Sequence, residues 1–238
     1  MKTVIVEKEE AGRKIAEVLI PNFEEVQENG VTIFKKDDTV IIPARGHIIN
    51  PTINGLRRIK SLELLPIANI TWKIHKSNKA RTDLMKQYLK QSNEFIVASD
   101  WDREGEVIGY SIIKFALDIT NPQQIKRAYY SALRSEDILD AFNNAKTMNE
   151  ALLTQGLARN LADLIIGLNL TKALTLKFKE KHTTLGQAIS LGRVQSPLLG
   201  YVKTHSGVNI SEEPYITEGK ETPTKQFFRQ LMNRLVIG

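Results

Sequence analysis

Glu94-Phe95-Ile96-Val97-Ala98-Ser99-Asp100-Trp101-Asp102-Arg103-Glu104-Gly105-Glu106 is the stretch that decides the fold. Phe95 to Ala98 is a continuous apolar run, the mark of a strand buried on both faces. An acid-rich loop follows at once, and Val107 to Leu117 then carries apolar residues at helical spacing. The N-terminus repeats the pattern. Thr3-Val4-Ile5-Val6 is a short apolar strand, Glu7 stands directly after it, and Ala11, Ile15, Ala16 and Leu19 mark a helix over 10–19. In an open parallel sheet, residues just past the strand ends gather along one edge, where ligands bind. If the two strands are neighbours, Glu7, Asp100 and Asp102 converge. Three carboxylates close together repel unless a cation sits between them. Mg2+ is the natural candidate, because it takes oxygen ligands and keeps several waters. The plainer alternative is an acidic first helical turn, stabilised by the helix dipole. That alternative accounts for Glu104 and Glu106 better than for Asp100 and Asp102.

Working outward, Val31 to Phe34 and Val40 to Ile42 read as strands around an Asp37-Asp38 turn. Residues 50–72 carry Pro51, Gly55 and Pro66 and read as an irregular insertion. Ala80 to Leu89 reads as a helix, Ile125 to Tyr129 as a strand, and Ser135 to Asn143 as a helix with Ser135 as its N-cap. Strands and helices alternate, which predicts an α/β, Rossmann-like domain with a mostly parallel sheet over residues 1–147. The texture then changes. Glu150 to about Lys179 is one long helical pattern or two abutting helices. A Gly/Thr/Ser-rich linker, Thr183 to Gly192, precedes a further helix from Val194 to Val202. The expectation is a basic all-α region over 148–205 and a short tail over 206–238, in which Thr224 to Leu235 has an amphipathic helical pattern.

The chain has 238 residues, 33 of them basic and 27 acidic, for a net charge of +6. The surplus sits late: residues 151–238 hold 11 basic and 6 acidic side chains. A basic C-terminal part suits a phosphate backbone, although a solvated lysine-rich helix face gives the same count. The absence of cysteine excludes thiol catalysis, thiolate zinc sites and disulfides. No apolar run approaches the 18 or so residues of a membrane span. The first strand meets acid at Glu7, too early for a signal peptide. A cytoplasmic, nucleoid-associated protein is expected.

Glu7-Lys8 before a helix, Gly46-His47 after a strand, and Asp100-Trp101-Asp102-Arg103-Glu104-Gly105-Glu106 together resemble the Toprim domain of topoisomerases, bacterial primases and some nucleases. Two further segments narrow the resemblance. Ala158 to Ala173 resembles the Ala-Arg-x-x-x-Asp-x-x-x-Gly-x-Asn-x-Ser/Thr-Arg/Lys-Ala helix of type IA DNA topoisomerases. Gly192-Arg193-Val194-Gln195-Ser196-Pro197 resembles their Gly-Arg-Val-Gln-Ser/Thr-Pro motif. The likeness spans roughly residues 1–205 and leans towards topoisomerase III and reverse gyrase. It implies Mg2+ at Asp100 and Asp102 with Glu7 beside them. It makes Glu7 a general acid or metal-associated carboxylate and Lys8 a stabiliser of phosphate charge. His47 faces the catalytic centre, and Glu104 is a weaker or outer partner of the metal. Arg159, Asp163, Arg193, Gln195 and Ser196 are placed in a helical cradle for single-stranded DNA. Arginine forks onto phosphate oxygens, which suits that role.

The family cleaves DNA with a tyrosine in a separate domain, in a motif close to Tyr-x-Arg-Thr. The six tyrosines here are Tyr88, Tyr110, Tyr129, Tyr130, Tyr201 and Tyr215, and none lies in such a motif. No nucleophilic tyrosine is therefore assigned, and 206–238 is expected to be too short for the arch that carries one. The Glu9-Glu10 pair also departs from relatives, which often have Pro-Ser there, and adds negative charge near the site. Three functions follow. The first is the Toprim and DNA-cradle portion of a type IA topoisomerase, cleavage-deficient alone and active with a second chain carrying the tyrosine. The second is a non-catalytic DNA-binding relic. The third is a Toprim nuclease with water as nucleophile, against which the two helical motifs argue.

Overall fold

The computed structural model describes residues 1–180, 188–192 and 194–205. The chain divides into two compact units, Met1–Pro51 with Trp72–Arg159, and Thr52–Thr71 with Asn160–Gly238.

The first unit is built on a seven-stranded sheet. Its strands are β1 (Lys2–Val6), β2 (Glu24–Glu28), β3 (Val31–Lys36), β4 (Thr39–Pro43), β7 (Glu94–Ala98), β8 (Lys126–Arg127) and β9 (Lys146–Thr147), in the order β2-β3-β4-β1-β7-β8-β9. The centre is parallel: β1 pairs with β4 and with β7, and β7 with β8. Antiparallel pairs finish both edges, β2-β3-β4 on one side and β8-β9 on the other. The α/β, Rossmann-like expectation holds.

Alternation along the central strands sorts their side chains onto two faces. Val4 and Val6 of β1, Ile41 of β4, and Ile96 and Ala98 of β7 join one buried cluster, with Ile15 and Ala16 of α1 (Glu9–Leu19) and Ile138 and Ala141 of α4 (Ser135–Asn143). Ile5, Val40, Ile42 and Val97 point the other way. They meet Leu84 and Met85 of α2 (Lys79–Gln91) and Val107, Ile108 and Ile112 of α3 (Arg103–Leu117). Both faces of β1 and β7 are thus covered, which explains the apolar runs Val4 to Val6 and Phe95 to Ala98 within them.

Three expectations are corrected. Ser135 lies inside α4; Arg134 is the capping residue and makes no side-chain capping bond. The strand expected over 125–129 is only Lys126–Arg127. The insertion over 50–72 contributes to regular structure through β5 (Ile49–Ile53) and β6 (Ile70–Ile74), which pair as a two-stranded sheet.

The helical pattern after residue 150 is a single helix, α5 (Glu150–Lys179). In the second unit its Asn169 clamps a neighbouring segment: Oδ1 accepts from Ile67 N at 2.8 Å and Nδ2 donates to Ile67 O at 2.9 Å. Thr171 does the same for Leu191, accepting from its N at 2.9 Å and donating to its O at 3.3 Å. Thr175 Oγ1 accepts from Ile189 N at 3.0 Å. The polar residues of the Asn-x-Thr motif therefore satisfy backbone groups of non-helical segments, which lack regular partners of their own. The last described element is α6 (Gln195–His205). The pattern at 224–235 lies outside the described residues.

Candidate phosphate and metal site

The register of β1 on β7 pairs Val6 with Ala98, so the chain leaves both strands side by side. Glu7-Lys8 and Ser99-Asp100 therefore share one edge of the sheet. Lys8 Nζ lies 3.2 Å from Asp100 Oδ2 and 3.3 Å from Glu7 Oε1. The hydrogen bond to Asp100, followed by the charge of Glu7, raises the Lys8 pKa above its ordinary value. One cationic nitrogen thus sits between two carboxylates from neighbouring strands.

Asp102 is turned elsewhere. It is the N-cap of α3, and its Oδ1 accepts from Gly105 N at 2.7 Å. Glu104, in the first turn of α3, reaches two cationic or titratable partners. His47 Nε2 is 3.1 Å from Oε2, and Arg159 Nη1 is 3.2 Å from Oε1. His47 follows a tight passage after β4, where Arg45 and Gly46 both have positive φ and both donate their N–H to Glu7 O. Arg45 Nη2 also bonds Glu9 Oε2 at 2.7 Å, and this bond lowers the Glu9 pKa. The added charge of Glu9 is therefore matched locally.

Beneath the loop lies a residue with no sequence signal beyond a charge inside an apolar stretch. Arg127 is fully buried. Its Nη1 donates to Val97 O at 3.0 Å, and its Nη2 to Asp100 O at 3.2 Å and to Ser99 O at 3.4 Å. Its Nε donates to Glu106 Oε2 at 3.3 Å, and Glu106 is also fully buried. The guanidinium replaces the missing next strand residues by satisfying carbonyls at the end of β7. Gly105 completes the packing, because a Cβ there would run into Asp100 O and come within 2.8 Å of Ser99 Oγ.

Among the described residues no three carboxylates or imidazoles are grouped closely enough to hold a metal ion together. The donor chemistry nonetheless fits a hard divalent cation. Glu7 and Asp100 present carboxylate oxygens to one point, which an ammonium already marks, and Mg2+ needs only one or two protein carboxylates when water and phosphate supply the rest. Asp163 lies on α5 one turn after Arg159, and Ser196 Oγ accepts from Gly192 N at 3.2 Å. Arg193 and the Gln195 side chain lie outside the described residues.

Two tyrosines flank the site. Tyr130 donates to Ala98 O at 3.3 Å, and burial, then the charge of Asp100, pushes its pKa up. Tyr129 accepts from Asn149 N at 3.0 Å; burial, then Glu106, pushes its pKa up to about 12.

Comparison with known proteins identifies the family. The Toprim domain model matches residues 2–133. DNA topoisomerase 1 of Pyrococcus horikoshii is 33% identical over 224 residues, which is 85% of this chain and 30% of that protein. DNA topoisomerase 3 of Staphylococcus epidermidis is 30% identical over 217 residues, 86% of this chain and 28% of that protein. The solved full-length topoisomerase I of Thermotoga maritima shares the fold, with a TM-score of 0.60 at 22% identity over 86% of this chain and 30% of that one. This chain thus spans about 30% or less of the relatives it matches. The likeness to them extends well past the Toprim boundary, through the helical motifs. The resemblance to type IA topoisomerases stands, and the chain belongs to the Toprim domain family.

Proposed function

We propose that this chain carries the metal- and single-stranded-DNA-binding portion of a type IA DNA topoisomerase, and that these residues bind DNA without themselves supplying the nucleophilic tyrosine. The observation that carries this reading is the convergence of Glu7 and Asp100 on the Lys8 ammonium at the sheet edge. A site that already gathers a cation between carboxylates suits a phosphate bridged by Lys8 and a divalent ion. When bound, Mg2+ would withdraw charge from phosphate oxygens. Glu7 and Asp100 would hold it, with Asp102 and Glu104 acting through the outer shell. Lys8 is free to turn its ammonium onto a phosphate oxygen once a metal replaces it between the acids. His47 and Arg159 fix Glu104, and the DNA-binding roles that the motif resemblance implies for Arg159, Asp163, Arg193, Gln195 and Ser196 belong to the same proposal.

No helix among the described residues is long and apolar enough to cross a membrane. A cytoplasmic, nucleoid-associated setting belongs to the same proposal.

Two measurements test it. Asp100→Asn should weaken Mg2+ binding by at least about tenfold in a calorimetric titration, since it removes one of two first-choice charged ligands. It should leave affinity for an oligodeoxynucleotide nearly unchanged. Equal Mg2+ affinity in variant and wild type overturns the site. With end-labelled single-stranded DNA and Mg2+, the chain should retain DNA without cutting it. A detergent-stable labelled adduct would show a nucleophile within this chain, and cut DNA without an adduct would favour the nuclease.

Arg193→Ala should reduce DNA affinity and flatten its dependence on salt. Loss of one phosphate contact removes about 0.7 from the slope of log K against log salt for a single strand. A wild-type slope takes Arg193 out of the interface.

A further inference from the structure

Trp101 is 60% exposed, the most exposed of the large apolar side chains among the described residues. Isolated exposed hydrophobics are common and need no explanation. This one is mounted unlike a casual surface residue. Asp102 N donates to Asp100 O at 2.8 Å, closing a three-residue turn with Trp101 at its apex. The same Asp100 carbonyl accepts from the buried Arg127, so the turn is fixed from beneath. The indole is 5.5 Å from the Tyr129 ring at a tilt of 42°. Tyr129 in turn lies 4.8 Å from the Arg127 guanidinium carbon and is pinned at its hydroxyl by Asn149 N. A rigid ladder of guanidinium, phenol and indole therefore ends in an indole open to solvent.

We propose that Trp101 is a stacking platform for one unpaired nucleobase of the strand whose phosphate reaches Lys8. The proposal rests on the DNA-binding reading above and names an element of that site. Asp100 and Asp102 flank the indole, so an anionic partner is repelled at this spot, whereas a neutral flat heterocycle is not. The adjacent residue, Asp100, already bonds Lys8. The base then falls on Trp101 of this loop, and the phosphate on Lys8 of the neighbouring segment, which the loop holds through Asp100. Because the turn is held before binding, little ordering is left for complex formation to offset. Stacking on an aromatic side chain tolerates any base, as a topology-directed rather than sequence-directed site requires.

The chain has two tryptophans, Trp72 and Trp101. A Trp72→Phe variant therefore leaves Trp101 as the sole indole fluorophore. Titrated with a dye-labelled oligothymidylate, it should show indole quenching that tracks the anisotropy of the DNA. An abasic oligomer of equal length should bind without quenching and about tenfold more weakly. Trp101→Ala should lose about the same tenfold on oligothymidylate and nothing on the abasic strand, and Trp101→Phe should restore most of it. Binding of both strands with equal affinity and no quenching overturns the platform while leaving DNA binding intact. Absence of any binding by the wild type overturns both. If Trp101→Ala fails to fold, the quenching and the abasic comparison, made with tryptophan in place, still decide.

Discussion

Arg127→Met is expected to destabilise the chain by about 3–5 kcal/mol, the usual consequence of removing one partner from a buried ion pair. Methionine matches the length of the arginine stem but carries no charge and no donors. Glu106, fully buried beside it, would lose its cationic partner. The carbonyls of Val97, Ser99 and Asp100 would also lose a shared donor. Urea unfolding, with the m-value unchanged and the midpoint lowered, checks the size of the effect. The double variant Arg127→Met with Glu106→Leu should recover a good part of the loss, since it leaves no lone charge behind. A single-variant loss below about 1 kcal/mol would mean that Glu106 finds another partner, and the pair would cease to explain the loop. Surface pairs offer a contrast. Lys14–Glu17 is an exposed pair of the kind worth only about a few tenths of a kcal/mol.

The same pair shows where sequence reading stops. The parallel centre of the sheet was legible because strands buried on both faces carry continuous apolar runs, as Val4 to Val6 and Phe95 to Ala98 do. The site edge was legible for a related reason: Glu7 and Asp100 stand one and two residues beyond paired strand ends. Arg127 was not, because a fully buried arginine breaks the burial rule and acts only through contacts made in three dimensions. Strand β2 was missed because Glu24-Glu25-Val26-Gln27-Glu28 is nearly all polar. Its charges are met across the edge, Glu28 by Lys35 and Tyr88 and Glu25 by Arg13 of α1. A usable signal was present, however. Asn29-Gly30 joins β2 to β3 with both residues at positive φ, the two-residue hairpin turn that this dipeptide favours. Asp102 has a structural task that its spacing does not reveal. The spacing Asp-x-Asp-x-Glu treats its members alike, yet the start of α3 uses Asp102 to cap a backbone amide and leaves Asp100 to face Lys8.

Gly105→Ala puts helix propensity and close packing in direct opposition. Propensity alone favours alanine inside a helix by about 1 kcal/mol. Gly105 is within the first turn of α3, so an isolated helix would gain from the change. In the folded chain the added methyl meets the Asp100 carbonyl and stands 2.8 Å from Ser99 Oγ. The carbonyl cannot retreat cheaply, because it already accepts from Arg127 Nη2 and Asp102 N. Relief must come from shifting the start of α3, which carries Asp102 and Glu104, or the loop that carries Asp100. Overpacking of this kind costs about 1–3 kcal/mol. The expected result is a net loss of stability of up to roughly 2 kcal/mol together with Mg2+ affinity lowered by about tenfold. Gly109→Ala supplies the control. Its methyl would collide with the Val97 side chain, 3.2 Å from Cβ and closer to Cγ1, and Val97→Ala removes the obstacle. The Gly109→Ala, Val97→Ala pair should therefore lose less than the sum of its members while keeping wild-type Mg2+ affinity. For Gly105 the obstacle is a main-chain oxygen that no substitution deletes. A stable Gly105→Ala variant with normal metal binding would show that the loop yields freely, and the rigid mounting of Asp100 and Trp101 would fall with it.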